Sequence, residues 1–206
     1  MKRIAAYGLL LLLCVPASVF AAAPAAPADG DLVFQSMGSS SQGKAIELAT
    51  RSPYSHMGIV FVKGAAVYVL EAVGPVKYTP FADWIAQGDG GHYVVRRLRD
   101  AERLLTRDAV RKLKKAAKPF VGKPYDHYFG WSDKRIYCSE LAWKIYRNAL
   151  GIEIGKPAKL REFDLGHPLV KAKLKERYGD AVPLDEPVIS PGRMFESELL
   201  ETVESR

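Results

Sequence analysis

The sequence predicts an α+β domain in which an antiparallel sheet packs against a helix that begins at a cysteine. Three observations predict it. First, β-branched and aromatic runs cluster in the first half, at His56–Val62 and Ala66–Ala72, and Lys63-Gly64-Ala65 between them reads as a hairpin turn. Second, apolar residues at helical spacing dominate the second half, over Thr106–Phe120, Cys138–Leu150 and a basic stretch near Pro168–Tyr178. Third, no internal repeat and no second linker divides the 206 residues, which therefore form one domain behind a short N-terminal appendage.

That appendage has the pattern of a secretory signal peptide over residues 1–23. Met1-Lys2-Arg3 is basic, Ile4 to Val15 is apolar, and Ala21-Ala22-Ala23 supplies the small residues of a cleavage site. Pro16 interrupts the run, which is shorter than the roughly 20 residues that span a bilayer. A cleaved leader and a protein free in the periplasm are expected. Residues 24–29 are Ala/Pro-rich and read as a flexible lead-in; residues 30–206 are the domain. Cys14 leaves with the leader, so Cys138 remains as a lone thiol with no intramolecular disulfide partner.

Along the domain, Asp31–Gln35 reads as a short strand and Gln42–Thr50 as a helix with Ala45, Ile46 and Ala49 on its apolar face. The hairpin follows. Phe81–Gln87 reads as a short helix whose Trp84 packs with Phe81 and Ile85, Gly88, Gly90 and Gly91 as a turn, and His92–Leu98 as a strand. Thr106 is the expected N-cap of the next helix. There Arg107, Arg111, Lys114, Lys115 and Lys118 share one face, opposite Ala109, Val110, Leu113, Ala116, Ala117 and Phe120. An aromatic loop, Tyr125 to Ile136, leads to the helix at Cys138. Beyond Tyr178 no pattern is readable.

The net charge of +7 includes Lys2 and Arg3 of the leader. The basic helix face is read as solvated; weak contact with an anionic lipid or cell-wall surface is the alternative. Export excludes nucleic acid as a partner. His92, His127 and His167 lack metal-ligand spacing, and no Gly-rich phosphate loop is present, so neither a metal nor another cofactor is expected.

The candidate chemistry starts at Cys138. A thiol at a helix N-terminus feels the positive end of the macrodipole, which favours the attacking thiolate. Hairpin register then supplies a base. A turn at Lys63-Gly64 sets His56 opposite Glu71, and a turn at Gly64-Ala65 sets Glu71 one step diagonal to it. Both keep the two side chains on one face, because the side-chain period of a strand is two. A carboxylate beside an imidazole fixes its tautomer and favours the imidazolium that forms with a thiolate. Cys138, His56 and Glu71 are therefore the candidate triad. Tyr125, Tyr128, Phe129 and Trp131 form an aromatic cluster that lines a substrate pocket or covers a core, and Tyr54 and Ser55, just before His56, flank the cleft as substrate contacts or only complete a turn after Pro53.

Four blocks carry a family resemblance. Gly30-Asp31-Leu32-Val33-Phe34, Ser55-His56-Met57-Gly58-Ile59-Val60, Gly122-Lys123-Pro124-Tyr125 and Tyr137-Cys138-Ser139-Glu140 resemble the motif blocks of NlpC-type papain-like cysteine peptidases in circularly permuted order. The chain is similar to the permuted branch, the YiiX-type amidases, from about Gly30 to Pro191. The resemblance implies a permuted papain-like hydrolase domain over residues 30–206, with Cys138 as nucleophile, His56 as base and Glu71 as third residue. It also implies that the Tyr125 hydroxyl sits near the scissile group, with the Cys138 backbone N–H helping to hold the oxyanion. Three departures stand out. Glu71 replaces a histidine or amide, Glu140 replaces the glycine after Cys-Ser, and Phe129-Gly130 replaces a Gly-Gly pair.

The expected activity is amide cleavage through an acyl-enzyme on Cys138, acting on a cell-wall peptide, a peptidoglycan fragment or a related amide. Two rivals stay open: a lipid acyl hydrolase or acyltransferase using the same triad on an amide or ester, and an inactive peptide- or lipid-binding module. Neither oligomeric state nor endo against exo cleavage is readable.

Overall fold

The computed structural model describes residues 26–206, and the predicted leader lies outside them. In chain order the elements are β1 (Leu32–Gln35), α1 (Ser41–Thr50), β2 (His56–Lys63), β3 (Ala66–Glu71), β4 (Lys77–Pro80), α2 (Phe81–Gln87), β5 (Val94–Leu98), α3 (Ala101–Leu104), α4 (Arg107–Ala117), α5 (Cys138–Leu150), β6 (Ala158–Lys159), α6 (Pro168–Tyr178), β7 (Pro187–Val188), α7 (Pro191–Phe195) and β8 (Leu200–Ser205). Strands of the main sheet run in the order β4-β3-β2-β1-β5-β8 and pair antiparallel throughout, while β6 and β7 form a separate two-stranded ribbon.

Alternation divides the sheet into two covered faces. Leu32, Phe34, Met57, Ile59 and Leu70 join Leu141 and Ile145 of α5 in the larger core. Val33, Val60, Val69 and Val95 face the other way, where Trp84 of α2 covers them. Because both faces are buried, the central strands read as continuous apolar runs. Thr106 caps α4 as expected, its hydroxyl accepting the Ala109 N–H at 3.3 Å, and Leu113 and Ala117 fill the buried side of that helix.

Two segments differ from expectation. The described part of the lead-in is held rather than loose. Arg97 donates to the Ala26 carbonyl at 3.1 Å, and the Asp29 carboxylate accepts the Val62 N–H at 2.9 Å and pairs with Lys114 at 2.9 Å. Its charged residue finds partners on β2 and α4 that lie far away in sequence. The unpatterned tail carries β8, an edge strand on β5 whose residues LETVES interleave charged and polar groups with Leu200 and Val203. Such composition suits an edge, where one side of the strand meets solvent.

Candidate active site

Helix α5 starts at Cys138 because Tyr137 before it is extended, at φ −105° and ψ 168°, and both neighbours of the cysteine are tied to one tail residue. The Tyr137 hydroxyl accepts the Ile189 N–H at 3.2 Å, and the Ser139 hydroxyl donates to the Ile189 carbonyl at 2.8 Å. Farther along α5, the Tyr146 hydroxyl donates to the Gly30 carbonyl at the entry to β1. Cys138 is thereby held in register with the sheet. It is a free thiol and only 4% exposed.

His56 opens β2 and Glu71 closes β3. Lys63 pairs with Ala66 and Ile59 with Leu70, so the turn is Gly64-Ala65 and the strand partner of Glu71 is Gly58. Gly64 takes φ +61°, a conformation glycine adopts without a Cβ penalty. The diagonal alternative of the two predicted registers is the one adopted. His56 Nε2 lies 2.6 Å from Glu71 Oε2, both residues being buried. The other Glu71 oxygen accepts from the Thr79 hydroxyl and, at 3.3 Å, from the Gln87 amide. The fully buried Trp84 ring lies 6.1 Å from the His56 ring and covers it.

By alternation His56 belongs to the face covered by α2, whereas Cys138 comes from α5 on the opposite face. They meet because His56 is the first residue of its strand, where the sheet ends and the ring reaches around it. Burial works to lower the His56 pKa, but hydrogen bonding to Cys138, then to Glu71, with the charges of both, outweighs it and raises the value to about 9. Burial works to raise the Glu71 pKa; its bonds to His56, Thr79 and Gln87 and the His56 charge hold it below the ordinary carboxylate range. The arrangement therefore stabilises an imidazolium between the Glu71 carboxylate and the Cys138 sulfur.

Cys138 opens into an apolar slot between α1 and α6 with a cavity volume of about 80 Å³. Tyr125 and Phe129 line it beside the thiol. Burial, then the negative charge of Cys138, pushes the Tyr125 hydroxyl well above the usual tyrosine range, with Arg177 and a hydrogen bond to Gln42 acting the other way. The hydroxyl thus remains a neutral donor. Ser55 also lines the slot, but its hydroxyl is engaged, accepting the Met37 N–H at 2.8 Å and donating to Glu47 at 3.3 Å.

Two of the expected substrate contacts are corrected. Tyr54 turns away and packs its ring 4.2 Å from that of Phe195 and 5.9 Å from that of Phe34, because Phe34 and α7 offer an apolar seat behind the strand. Trp131 packs edge-on against Trp143 at 5.3 Å and under the Lys144 ammonium at 5.1 Å, and it is absent from the slot lining. Tyr128 is exposed and leans on Tyr178.

The sequence departures acquire physical meaning. Phe129 has φ +50°, a left-handed backbone that costs a bulky residue energy. Asp126 supports it by accepting the N–H groups of Tyr128 and Gly130, each at 2.9 Å. Glu140 is fully buried one turn inside α5, accepts the Tyr137 N–H at 3.5 Å and pairs with Lys144 at 2.7 Å. Lys144 in turn reaches Asp133 of the aromatic loop at 2.8 Å. Burial raises the Glu140 pKa to about 7 in spite of that pair. The side chain braces the loop instead of entering the slot.

Thr79, Gln87, Gln42 and Ile189 were not singled out from sequence. Each acts through a contact across the fold, and none sits in a motif. Among the described residues no three His, Cys, Asp or Glu side chains are grouped so as to hold a metal ion.

With this geometry in view, comparison with known proteins is decisive. The family described as "Permuted papain-like amidase enzyme, YaeF/YiiX, C92 family" matches residues 26–204. The chain belongs to this family. It is 51% identical over 195 residues to the uncharacterized protein YiiX of Escherichia coli (strain K12), covering 95% of this chain and 92% of that protein. A crystal structure described as metalloprotein yiiX from Escherichia coli O157:H7 superposes with a TM-score of 0.83 at 53% identity, covering 87% of this chain and 98% of that one. Membership makes the chain a papain-like cysteine amidase or peptidase, and the α+β architecture derived above is its permuted fold.

Proposed function

We propose that this enzyme hydrolyses an amide through a thioester on Cys138, with His56 as general base and acid and Glu71 orienting it. One observation carries the reading: a buried carboxylate, an imidazole and a helix-start thiol interact in series where an apolar slot opens. In the acylation step the Cys138 Sγ attacks the amide carbon and the C–S bond forms. The oxyanion draws on the Cys138 backbone N–H, one of the unpaired donors in the first turn of α5, and on the neutral Tyr125 hydroxyl. His56 passes its proton to the leaving nitrogen, the C–N bond breaks and the amine departs. A water then gives its proton to His56 and attacks the thioester, releasing the acid and restoring the thiol. Glu71 keeps the ring in the tautomer that both steps use.

Residues 1–23 support export to the periplasm, where cell-envelope amides are the accessible substrates. The test is intact-protein and product mass spectrometry after incubation with envelope fractions. An acyl adduct on Cys138 and released acid from the wild type, both absent in Cys138→Ala, are expected. Equal product from both proteins would overturn the mechanism, and a retained N-terminus in the envelope fraction would overturn export.

A further inference from the structure

The basic face of α4 takes no part in the chemistry of Cys138. Leu113 and Ala117 hold the other side of this helix in the core, so its cations are fixed along one outer surface. Arg107, Arg111, Lys115 and Lys118 are all exposed, and at 3.6 residues per turn they fall within about 80° of one another around the helix axis and span about 16 Å along it. Asp108 is occupied by Arg111 at 2.6 Å and Lys112 at 3.1 Å, whereas Arg107, Lys115 and Lys118 make no ion pair among the described residues.

Beside Lys114 and Lys118 a groove of about 670 Å³ opens, lined also by Lys63, Tyr68, Tyr78 and Val121. Among the described residues no carboxylate lines it. Lys114 is already engaged, pairing with Asp29 at 2.9 Å and donating to the Val62 carbonyl at 3.2 Å, which leaves Lys63 and Lys118 as the unpaired cations of the groove. Tyr78 is 41% exposed and Val121 46%, so apolar surface lies open next to the charge. We propose that the outer face of α4 and this groove dock the protein on the surface of an anionic phospholipid bilayer.

The spread of the cations selects the partner. A single anion would need them to converge on one point, whereas a row along about 16 Å of helix matches a plane of negative charge. Tyrosine, with an apolar ring and a polar tip, suits the level of the headgroups, and a lysine stem can lie on apolar surface while its ammonium stays among phosphates. A wholly apolar partner would strip water from the same cations and return nothing. Because the apolar stripe of α4 is spent on the core, the helix cannot sink into the acyl region. The contact is therefore superficial, electrostatic and sensitive to salt. It is also separate from the triad, since Lys63 closes the strand that His56 opens, about 23 Å away along β2.

Vesicle sedimentation tests this. The chain, as an expressing cell processes it, is mixed with vesicles of pure phosphatidylcholine and with vesicles of phosphatidylcholine and phosphatidylglycerol in equal parts, and the ratio of the two affinities is read. Any binding through the apolar leader enters both and cancels. Anionic vesicles should be preferred at low salt, and the preference should vanish near 1 M salt, where the screening length falls to about 3 Å. Lys115→Gln with Lys118→Gln should lower the ratio about 25-fold, at about fivefold per lysine near an anionic surface, and Lys63→Gln from the groove should lower it about fivefold more. The urea midpoint should not move, because these side chains are exposed. Lys156→Gln with Lys171→Gln, exposed on α6 and on the segment before β6, should leave the ratio nearly unchanged. Equal losses from the two lysine pairs would reduce the effect to net charge and overturn the proposal. So would a ratio near one, a preference that survives high salt, or sedimentation with cell-wall sacculi but not with anionic vesicles. Full competition by soluble glycerol phosphate would indicate a site for one small anion and would overturn it as well.

Discussion

His56 Nε2 lies 2.6 Å from Glu71 Oε2 although Gly58, not His56, is the strand partner of Glu71. The diagonal is closed by side-chain reach across a position that has no side chain. That places the carboxylate where Thr79 and Gln87 also bond it, inside the sheet, and leaves the imidazole at the strand end where α5 brings the thiol.

The His56 ring should titrate near pH 9 in the wild type. Its folded-state value lies above the ordinary 6.5, so the charged ring contributes stability that is fully present below about pH 6.5 and lost as pH rises through about 9. In Cys138→Ala the partner that raises it most is gone, and the NMR-monitored midpoint should fall. An unchanged midpoint would mean that the thiol and the ring do not interact.

Within the triad, Cys138→Ala should abolish turnover. Glu71→Gln keeps an acceptor for the ring and loses the charge, so partial activity is expected. Glu71→Ala should cost more, on the order of 10³–10⁴ in kcat, by analogy with other orienting residues. Circular dichroism and urea unfolding must show a folded protein, since Thr79 and Gln87 also lose their acceptor. Full turnover in folded Glu71→Ala would show Glu71 to be an ordinary strand carboxylate.

Gly58→Ala tests the diagonal itself. A Cβ at this position would stand 2.3 Å from Val69 Cγ1 and 2.7 Å from the Leu70 carbonyl oxygen, so β3 has to shift. A destabilisation of about 1–3 kcal/mol is expected from such overpacking. Activity should fall together with it, because β3 carries Glu71. Wild-type stability and turnover would contradict the close approach.

Glu140→Gln should change the pH dependence of stability. The folded Glu140 carboxyl is raised to about 7 from 4.5, so its favourable linkage is fully present below about pH 4.5 and disappears as pH rises through about 7. Urea unfolding across that range should show the wild type losing stability relative to the variant. Parallel curves would place Glu140 in a solvated setting.

The sequence by itself determined most of the elements and pointed to Cys138, His56 and Glu71 as the candidate triad. The helix over Cys138–Leu150, the helix over Phe81–Gln87 and the hairpin were legible because apolar periodicity and turn residues are local signals. The face shared by His56 and Glu71 was legible as well, since a period of two is indifferent to which turn is used. Only the tertiary structure decided which register holds and how the two faces of the sheet meet at His56. It also decided that Ile189, from an unpatterned tail, ties both neighbours of Cys138, that Tyr54 and Trp131 turn away, and that Ala45 and Ala49 border a slot. These depend on contacts between residues far apart in the chain, where the gain from burying an aromatic ring or pairing a backbone group is set by what the fold brings alongside. Local periodicity carries no record of that partner.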